Sequence, residues 1–233
     1  MTGACTVKEG SNVLVITGVE QDRKAKQRYQ LFVNDSPEPY TNVHEDLLIK
    51  FRLLKGREIH PDELKQIVEE DSRHRAYILA LSYLGVRQRT EKEILRYLAR
   101  KEIDAESAAK AIERLSQEGL VNDKLYAAMY ASERMRTQLK GRRLLQQELL
   151  QRGIAKDTAK LASQKLNEQS ETETAIRAAE KKWPFIKGEP RERKQKLAVF
   201  LLRRGFPMNT VKDAVKAVVR AAEDGEDGHM LDN

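Results

Sequence analysis

The sequence holds 233 residues, 40% apolar, 34% charged and 6% aromatic, enough apolar surface for one large or two ordinary domains, and a composition that excludes collagen-like and grossly disordered chains. The 43 Lys and Arg against 36 Asp and Glu give a formal net charge of +7, and a lone cysteine, Cys5, expected to be inert, excludes an internal disulfide framework and a cysteine-based zinc cluster. No run approaches ~18 uninterrupted apolar residues and Met1–Gly10 lacks a basic run followed by an apolar block, so the chain reads as neither membrane-spanning nor secreted, with a reducing cytoplasm as its expected location.

Val13, Val15 and Val19 alternate with Leu14, Ile16 and Gly18, and Tyr29, Leu31 and Val33 with Gln30 and Phe32, which is strand periodicity. Asn34-Asp35 supplies a turn, and Pro37 and Pro39 push the next segment to a sheet edge or into irregular structure up to Tyr40. Leu47, Leu48, Phe51 and Leu54 share a helical stripe closed by Gly56, and a short helix opens at Pro61 with Asp62 and Glu63 in its first turn. Residues 1–70 are therefore expected to form a small α+β module whose helices cover an antiparallel sheet. His44-Glu45-Asp46 is consecutive, so its side chains are expected to diverge around a helix at the surface.

From residue 72 the pattern becomes helical and repeats. Glu93–Ile103, Leu144–Ile154 and Lys196–Phe206 align without gaps, at spacings of 51 and 52 residues. Ile94, Leu145 and Leu197 stand four residues before Leu98, Leu149 and Leu201, on one helix face. Each copy finishes with a cation, a turn residue and an apolar residue: Lys101-Glu102-Ile103, Arg152-Gly153-Ile154 and Arg204-Gly205-Phe206. This is C-capping chemistry, in which glycine tolerates the left-handed conformation; Glu102 in place of glycine predicts a weaker or differently shaped first cap.

Each middle helix has a partner on either side. Tyr77, Leu81 and Leu84, then Leu125, Met129 and Tyr130, then Ile176, Ala179 and Trp183 precede the three copies, with Pro184 stopping the last of these helices. Ala108, Ile112 and Leu115, then Thr158, Leu161 and Ala162, then Val211, Ala214, Val215 and Val218 follow them. Thr90-Glu91-Lys92-Glu93 is a capping box, and Asp104, Asp123, Asp157 and Asn209 are placed as N-caps. The expected fold is mainly α: three tandem three-helix-bundle repeats, residues 71–122, 123–168 and 169–222, in an elongated curved array, after the α+β module and before an acidic, disordered tail at 223–233.

The net charge over these five segments runs −2, +2, +5, +7 and −5, so the second and third repeats carry a field that attracts polyanions. Arg134, Arg136, Lys140, Arg142 and Arg143 surround Gly141, and Lys181, Lys182, Lys187, Arg191, Arg193 and Lys194 surround a loop with Gly188 and Pro190. Both clusters fall between the first and second helix of their repeat, and Arg152, Arg203 and Arg204 add the cap cations. Trp183 continues an apolar stripe and reads as a core anchor rather than a platform for a base. There is no phosphate-binding glycine loop and no Gly-flanked nucleophilic serine. The four histidines, His44, His60, His74 and His229, are scattered, with no two at metal-ligand spacing, so neither catalytic residues nor metal nor cofactor are expected.

At these residues the sequence resembles the RecX family, the regulators of the RecA recombinase. The likeness rests on Glu93, Leu98, Leu115, Glu118-Gly119-Leu120-Val121-Asn122-Asp123, Tyr126-Ala127 and Arg134. It continues through Gly141-Arg142-Arg143-Leu144-Leu145, Glu148-Leu149, Arg152-Gly153-Ile154 and Phe200–Phe206, spanning about residues 72–220; the N-terminal module resembles that of the longer family members. The resemblance implies a non-enzymatic, monomeric regulator of recombination, repair and the SOS response. It would lie along the RecA filament on single-stranded DNA, alter ATP hydrolysis, strand exchange and assembly, and bind naked DNA weakly and without sequence preference. Arg142 and Arg143 stand out as contacts, and changing both to Ala is expected to leave melting nearly unchanged. Two alternatives stay open: a sequence-specific DNA-binding regulator placing one helix of a bundle in the major groove, and a scaffold that touches only protein.

Overall fold

A computed structural model describes residues 13–228; the readings of Met1–Gly10, Cys5 and His229 lie outside the described residues. Among the described residues, no helix is long and apolar enough to cross a membrane. The chain divides into two compact units, one of residues up to 86 together with 95–117, the other of residues 87–94 together with 118 onward.

The first unit opens with β1 (Leu14–Gln21), β2 (Arg28–Val33), β3 (Thr41–His44), α1 (Glu45–Lys50), β4 (Glu58–Ile59) and α2 (Pro61–Val86). The sheet is antiparallel in the order β3-β2-β1-β4, with a bulge between Ile16 and Gly18. Asn34 and Asp35 both adopt positive φ in the turn after β2, and the prolines precede β3 at the sheet edge, where a missing N–H does no harm. Ile16, Leu31, Val33, Val43 and Ile59 point inward onto Leu53, Leu64 and Ile67. α1 is shorter than its stripe suggested: Arg52 turns left-handed, so Leu53 enters the core while Leu54 is 61% exposed. The helix at Pro61 is not short but 26 residues long, and its last half is the first helix of the first repeat. Asp71, buried on it, accepts from Arg28 Nη2 at 2.6 Å and from the His44 backbone N–H at 2.7 Å, tying β2 and β3 to the helix.

α3 (Glu91–Arg100) and α4 (Ala105–Gln117) complete the first repeat. Ala76, Ala80, Leu98, Ala108, Ile112 and Leu115 are buried, whereas Leu81 is exposed; Tyr83 stacks on Tyr97 at 4.2 Å. Asp104 caps α4, accepting from the Ser107 N–H and the Ser72 hydroxyl, both at 2.8 Å.

The second unit holds the first turn of α3, then α5 (Asp123–Gln138), α6 (Arg142–Gln151), α7 (Lys156–Gln164), α8 (Glu168–Lys182), a 3-10 turn at Trp183–Phe185, α9 (Pro190–Arg203) and α10 (Met208–Gly228). Tyr126, Ala127, Leu149, Ile154, Ala159 and Ala162 form the core of the second repeat. The inward face of α5 lies one residue from the expected one, since Leu125 and Met129 are exposed. Ala175, Ala178, Leu197, Leu201, Phe206, Val211, Ala214 and Val218 form the core of the third, with Trp183 packed against it. Residues 223–228, expected in a disordered tail, form the last turns of α10; residues 229–233 lie outside the described residues.

The capping box at Thr90 forms as read, with Thr90 and Glu93 exchanging 3.2 Å bonds. Asp104 likewise caps α4 as read, while the remaining three caps shift by a residue or more: Asn122 rather than Asp123 caps α5, Ala155 precedes α7, and Asn209 falls inside α10. All three repeats close their middle helix in the same way. Ile103, Ile154 and Phe206 donate to the carbonyls of Leu98, Leu149 and Leu201 at 3.1, 3.1 and 3.3 Å, and the residue before each has φ of 59° (Glu102), 93° (Gly153) and 87° (Gly205). This is the Schellman arrangement, so the first cap has the same shape despite Glu102.

Within the second unit these caps serve as sockets. The start of α6 lies on the end of α9: Gly141 N donates to Arg204 O at 2.8 Å, Arg143 N to Gly205 O at 3.1 Å, and a Cβ on Gly141 would fall 2.4 Å from Gly205 C. The start of α3 lies likewise on the end of α6, with Thr90 Oγ1 donating to Arg152 O at 2.8 Å and the side chain of Lys92 over Gly153. The α6–α9 joint sets backbone N–H groups against another helix's free carbonyls and the α3–α6 joint a hydroxyl, and in both a helix start meets a helix end, so the two dipoles meet with opposite signs. Leu139, left-handed at the end of α5, drops into the core of the third repeat beside this joint.

Candidate nucleic-acid and partner interface

Of the fourteen cations singled out in the sequence, Lys181 and Lys182 lie in the last turn of α8, with Lys182 5.7 Å from the Phe200 ring, and the other twelve separate into three groups. Four are occupied inside the protein. Arg142 binds Glu171, whose side chain is 0% exposed, through both its backbone N–H, at 2.8 Å, and its Nε. Lys140 Nζ lies 2.5 Å from Glu148. Arg152 Nη1 pairs with Glu93 at 3.1 Å and donates to Tyr126 at 3.2 Å, with its guanidinium 4.7 Å from the Tyr130 ring. Arg204 Nη1 donates to the carbonyls of Gln138 at 2.5 Å and Leu139 at 3.3 Å. The expectation that replacing Arg142 would leave melting untouched is therefore overturned: its removal strands a buried carboxylate.

Three more are half-engaged. Arg134 lies 5.3 Å from the Tyr130 ring and Arg193 lies 4.0 Å from the Trp183 ring; Lys194 meets Glu223 at 3.8 Å. The remaining five, Arg136, Arg143, Lys187, Arg191 and Arg203, are exposed and make no ion pair among the described residues. Arg136 and Arg143 flank the corner between α5 and α6, and Lys187 and Arg191 flank the corner between α8 and α9. Arg203 closes α9. Solvated guanidinium groups without internal partners are the ones that can exchange their counterions for phosphates.

One feature escaped the sequence. Met208, Val211, Val215 and Val219 of α10 floor a groove with Ala198 of α9, and Lys194, Lys212, Lys216 and Arg220 rim it, with Glu223 the one acid among them and paired to Lys194. Val215 was legible as apolar and its lysine neighbours as exposed, but that Met208 and part of Val215 stay uncovered depends on how closely α9 approaches. A second grouping lies elsewhere: His44, Asp46 and His74, read as scattered and divergent, come together at the end of β3.

Comparison with known proteins adds to this geometry. Residues 76–115, 122–162 and 169–215 match the family models described as the first, second and third three-helix domains of RecX. "Regulatory protein RecX" of Staphylococcus aureus strain JH9 is 31% identical over 218 residues, which cover 94% of this chain and 78% of that protein. A solved structure described as "Crystal structure of regulatory protein RecX" superposes with a TM-score of 0.68 at 28% identity, covering 85% of this chain and 97% of the other. RecX from Lactobacillus salivarius gives 0.60 at 27% identity, covering 64% and 97%. Three matched domains in order, a relative aligned over nearly the whole chain and two superposing structures together establish that the chain belongs to the RecX family.

Proposed function

We propose that this chain is a non-enzymatic regulator of the RecA recombinase that binds the RecA filament on single-stranded DNA and alters its ATP hydrolysis, strand exchange and assembly. The observation that carries the reading is the exposed, unpaired set Arg136, Arg143, Lys187, Arg191 and Arg203 on consecutive repeats of a RecX-family chain. The four guanidinium groups near the ends of packed helices and the Lys187 ammonium in the loop before α9 offer phosphates a preformed contact, and none of them is oriented by a neighbouring acid toward one base. The α9–α10 groove, apolar with a cationic rim, suits an acidic protein surface and supplies the filament's protein contact, while the exposed arginines meet its DNA.

The test is a chain carrying Arg136→Ala, Arg143→Ala, Arg191→Ala and Arg203→Ala, assayed for its effect on RecA ATP hydrolysis on single-stranded DNA at two salt concentrations. The expected result is unchanged melting, a weakened effect on RecA and a shallower salt dependence, by about 0.7 per phosphate contact removed. An effect equal to that of the unaltered chain refutes the assignment. Lys212→Glu with Lys216→Glu, measured against RecA without DNA, tests the groove independently.

A further inference from the structure

We infer that His44, Asp46 and His74 form a site for one divalent transition metal ion of the zinc class, a clip fastening the corner between β3 and α1 to α2. Asp46 Oδ2 lies 3.3 Å from His44 Nδ1 and 3.3 Å from His74 Nε2, and all three donor atoms lie within 4.8 Å of one another. For metal–ligand bonds of about 2.1 Å, the edge of a tetrahedral coordination shell is about 3.4 Å. Two of the three edges are therefore already set. Two imidazoles and one carboxylate with room for a water are a donor set that Zn²⁺ accepts, whereas Mg²⁺ and Ca²⁺ favour oxygen alone.

The surroundings of the donor atoms leave them open to a ligand. His74 Nε2 is buried with no hydrogen-bond partner, an arrangement that costs free energy unless something binds there. His44 Nδ1 accepts only a long bond, 3.2 Å, from Asp46 N, and stands on the side of the ring that faces the carboxylate. His60 and Asp62 supply a built-in comparison: the same local turn, with His60 Nδ1 3.4 Å from Asp62 Oδ2, but no third ligand among the described residues.

The experiment is calorimetric titration of ZnCl₂ into untagged, chelator-treated full-length chain, with Co²⁺ absorption as a second reading of geometry. One equivalent is expected to bind, with tetrahedral-type Co²⁺ bands and a rise in melting temperature. Asp46→Asn and His74→Gln are expected to weaken binding at least roughly tenfold, and His60→Gln to leave it unchanged. Circular dichroism of each variant establishes that it is folded; if one variant unfolds, the other and the Co²⁺ spectrum of the unaltered chain decide. Absence of a saturable equivalent, or undiminished binding in folded Asp46→Asn or His74→Gln, overturns the site.

Discussion

Replacing Gly141 with Ala tests the joint between the second and third repeats with a single methyl group. Gly141 has φ −81° and ψ 162°, which any residue adopts, so no backbone strain enters and the effect is steric. The added Cβ would lie 2.4 and 2.5 Å from Gly205 C and O and 2.5 Å from Phe206 N, where ordinary contact begins near ~3.5 Å. Relief requires the start of α6 to withdraw from the end of α9 by about 1 Å. That lengthens the bond from Gly141 N to Arg204 O, now 2.8 Å, and the bond from Arg143 N to Gly205 O, now 3.1 Å, beyond useful range. Two hydrogen bonds at about 1 kcal/mol each, with about 1 to 3 kcal/mol of residual overpacking, give a loss of about 3 to 5 kcal/mol. Urea unfolding followed by circular dichroism measures it, the transition of the second unit being the one that moves. Hydrogen exchange at the Arg143 amide localises the change. Gly85→Ala, on an exposed part of α2 where the methyl meets nothing within 4 Å, is the control and should be neutral or stabilising by up to about 1 kcal/mol. A Gly141→Ala chain within about 0.5 kcal/mol of the unaltered protein would refute the steric argument.

Three further expectations follow from named contacts. Arg142→Ala should destabilise the second unit by about 3 kcal/mol, because Glu171 is left buried and unpaired, whereas Arg143→Ala should shift the same denaturation curve by less than about 0.5 kcal/mol. Glu102→Gly should stabilise the first repeat by about 0.5 to 1 kcal/mol, since φ of 59° strains a residue with a Cβ more than glycine's extra unfolded-state freedom costs; thermal melting of the variant settles the sign. Asp104, held to a pKa of about 2 chiefly by the Ser107 backbone and side chain, with Ser72 behind them, is depressed on folding. Its contribution is therefore complete above the unfolded value near ~3.9 and is lost as pH falls from about 4 to about 2; acid unfolding of Asp104→Asn should be less steep across that window.

The architecture was legible wherever the sequence repeats a physical demand. Ile94, Leu145 and Leu197, and the apolar residues at 103, 154 and 206, announce one helix and one cap three times over. The flanking helices were less legible because alanines do much of their packing. Ala76, Ala80, Ala127, Ala131, Ala175 and Ala178 are buried, and small residues carry little periodic signal beside the larger but exposed Leu81, Leu125 and Met129. β4, with two residues, is too short to leave a pattern. The charged residues show a different limit. Arg142 and Arg143 are adjacent and chemically equivalent in the sequence, yet only one finds Glu171, 29 residues on, so which arginine is free to reach a partner is a property of packing. His74 joins His44 and Asp46 across a similar separation that spacing rules do not span.

The left-handed cap residue of each repeat does two separable things, and the odd one out identifies them. Gly153 and Gly205 both turn the chain and vacate the space into which an upstream helix plugs, whereas Glu102 only turns it and is exposed. The first repeat has no upstream repeat to receive, so a side chain there obstructs nothing. Assembly polarity is thus written into the chain as an absence of side chain at every junction but none at the terminus. A hybrid extended at its N-terminal end by another repeat would need glycine at position 102, while the same extension without that change would leave the newcomer undocked.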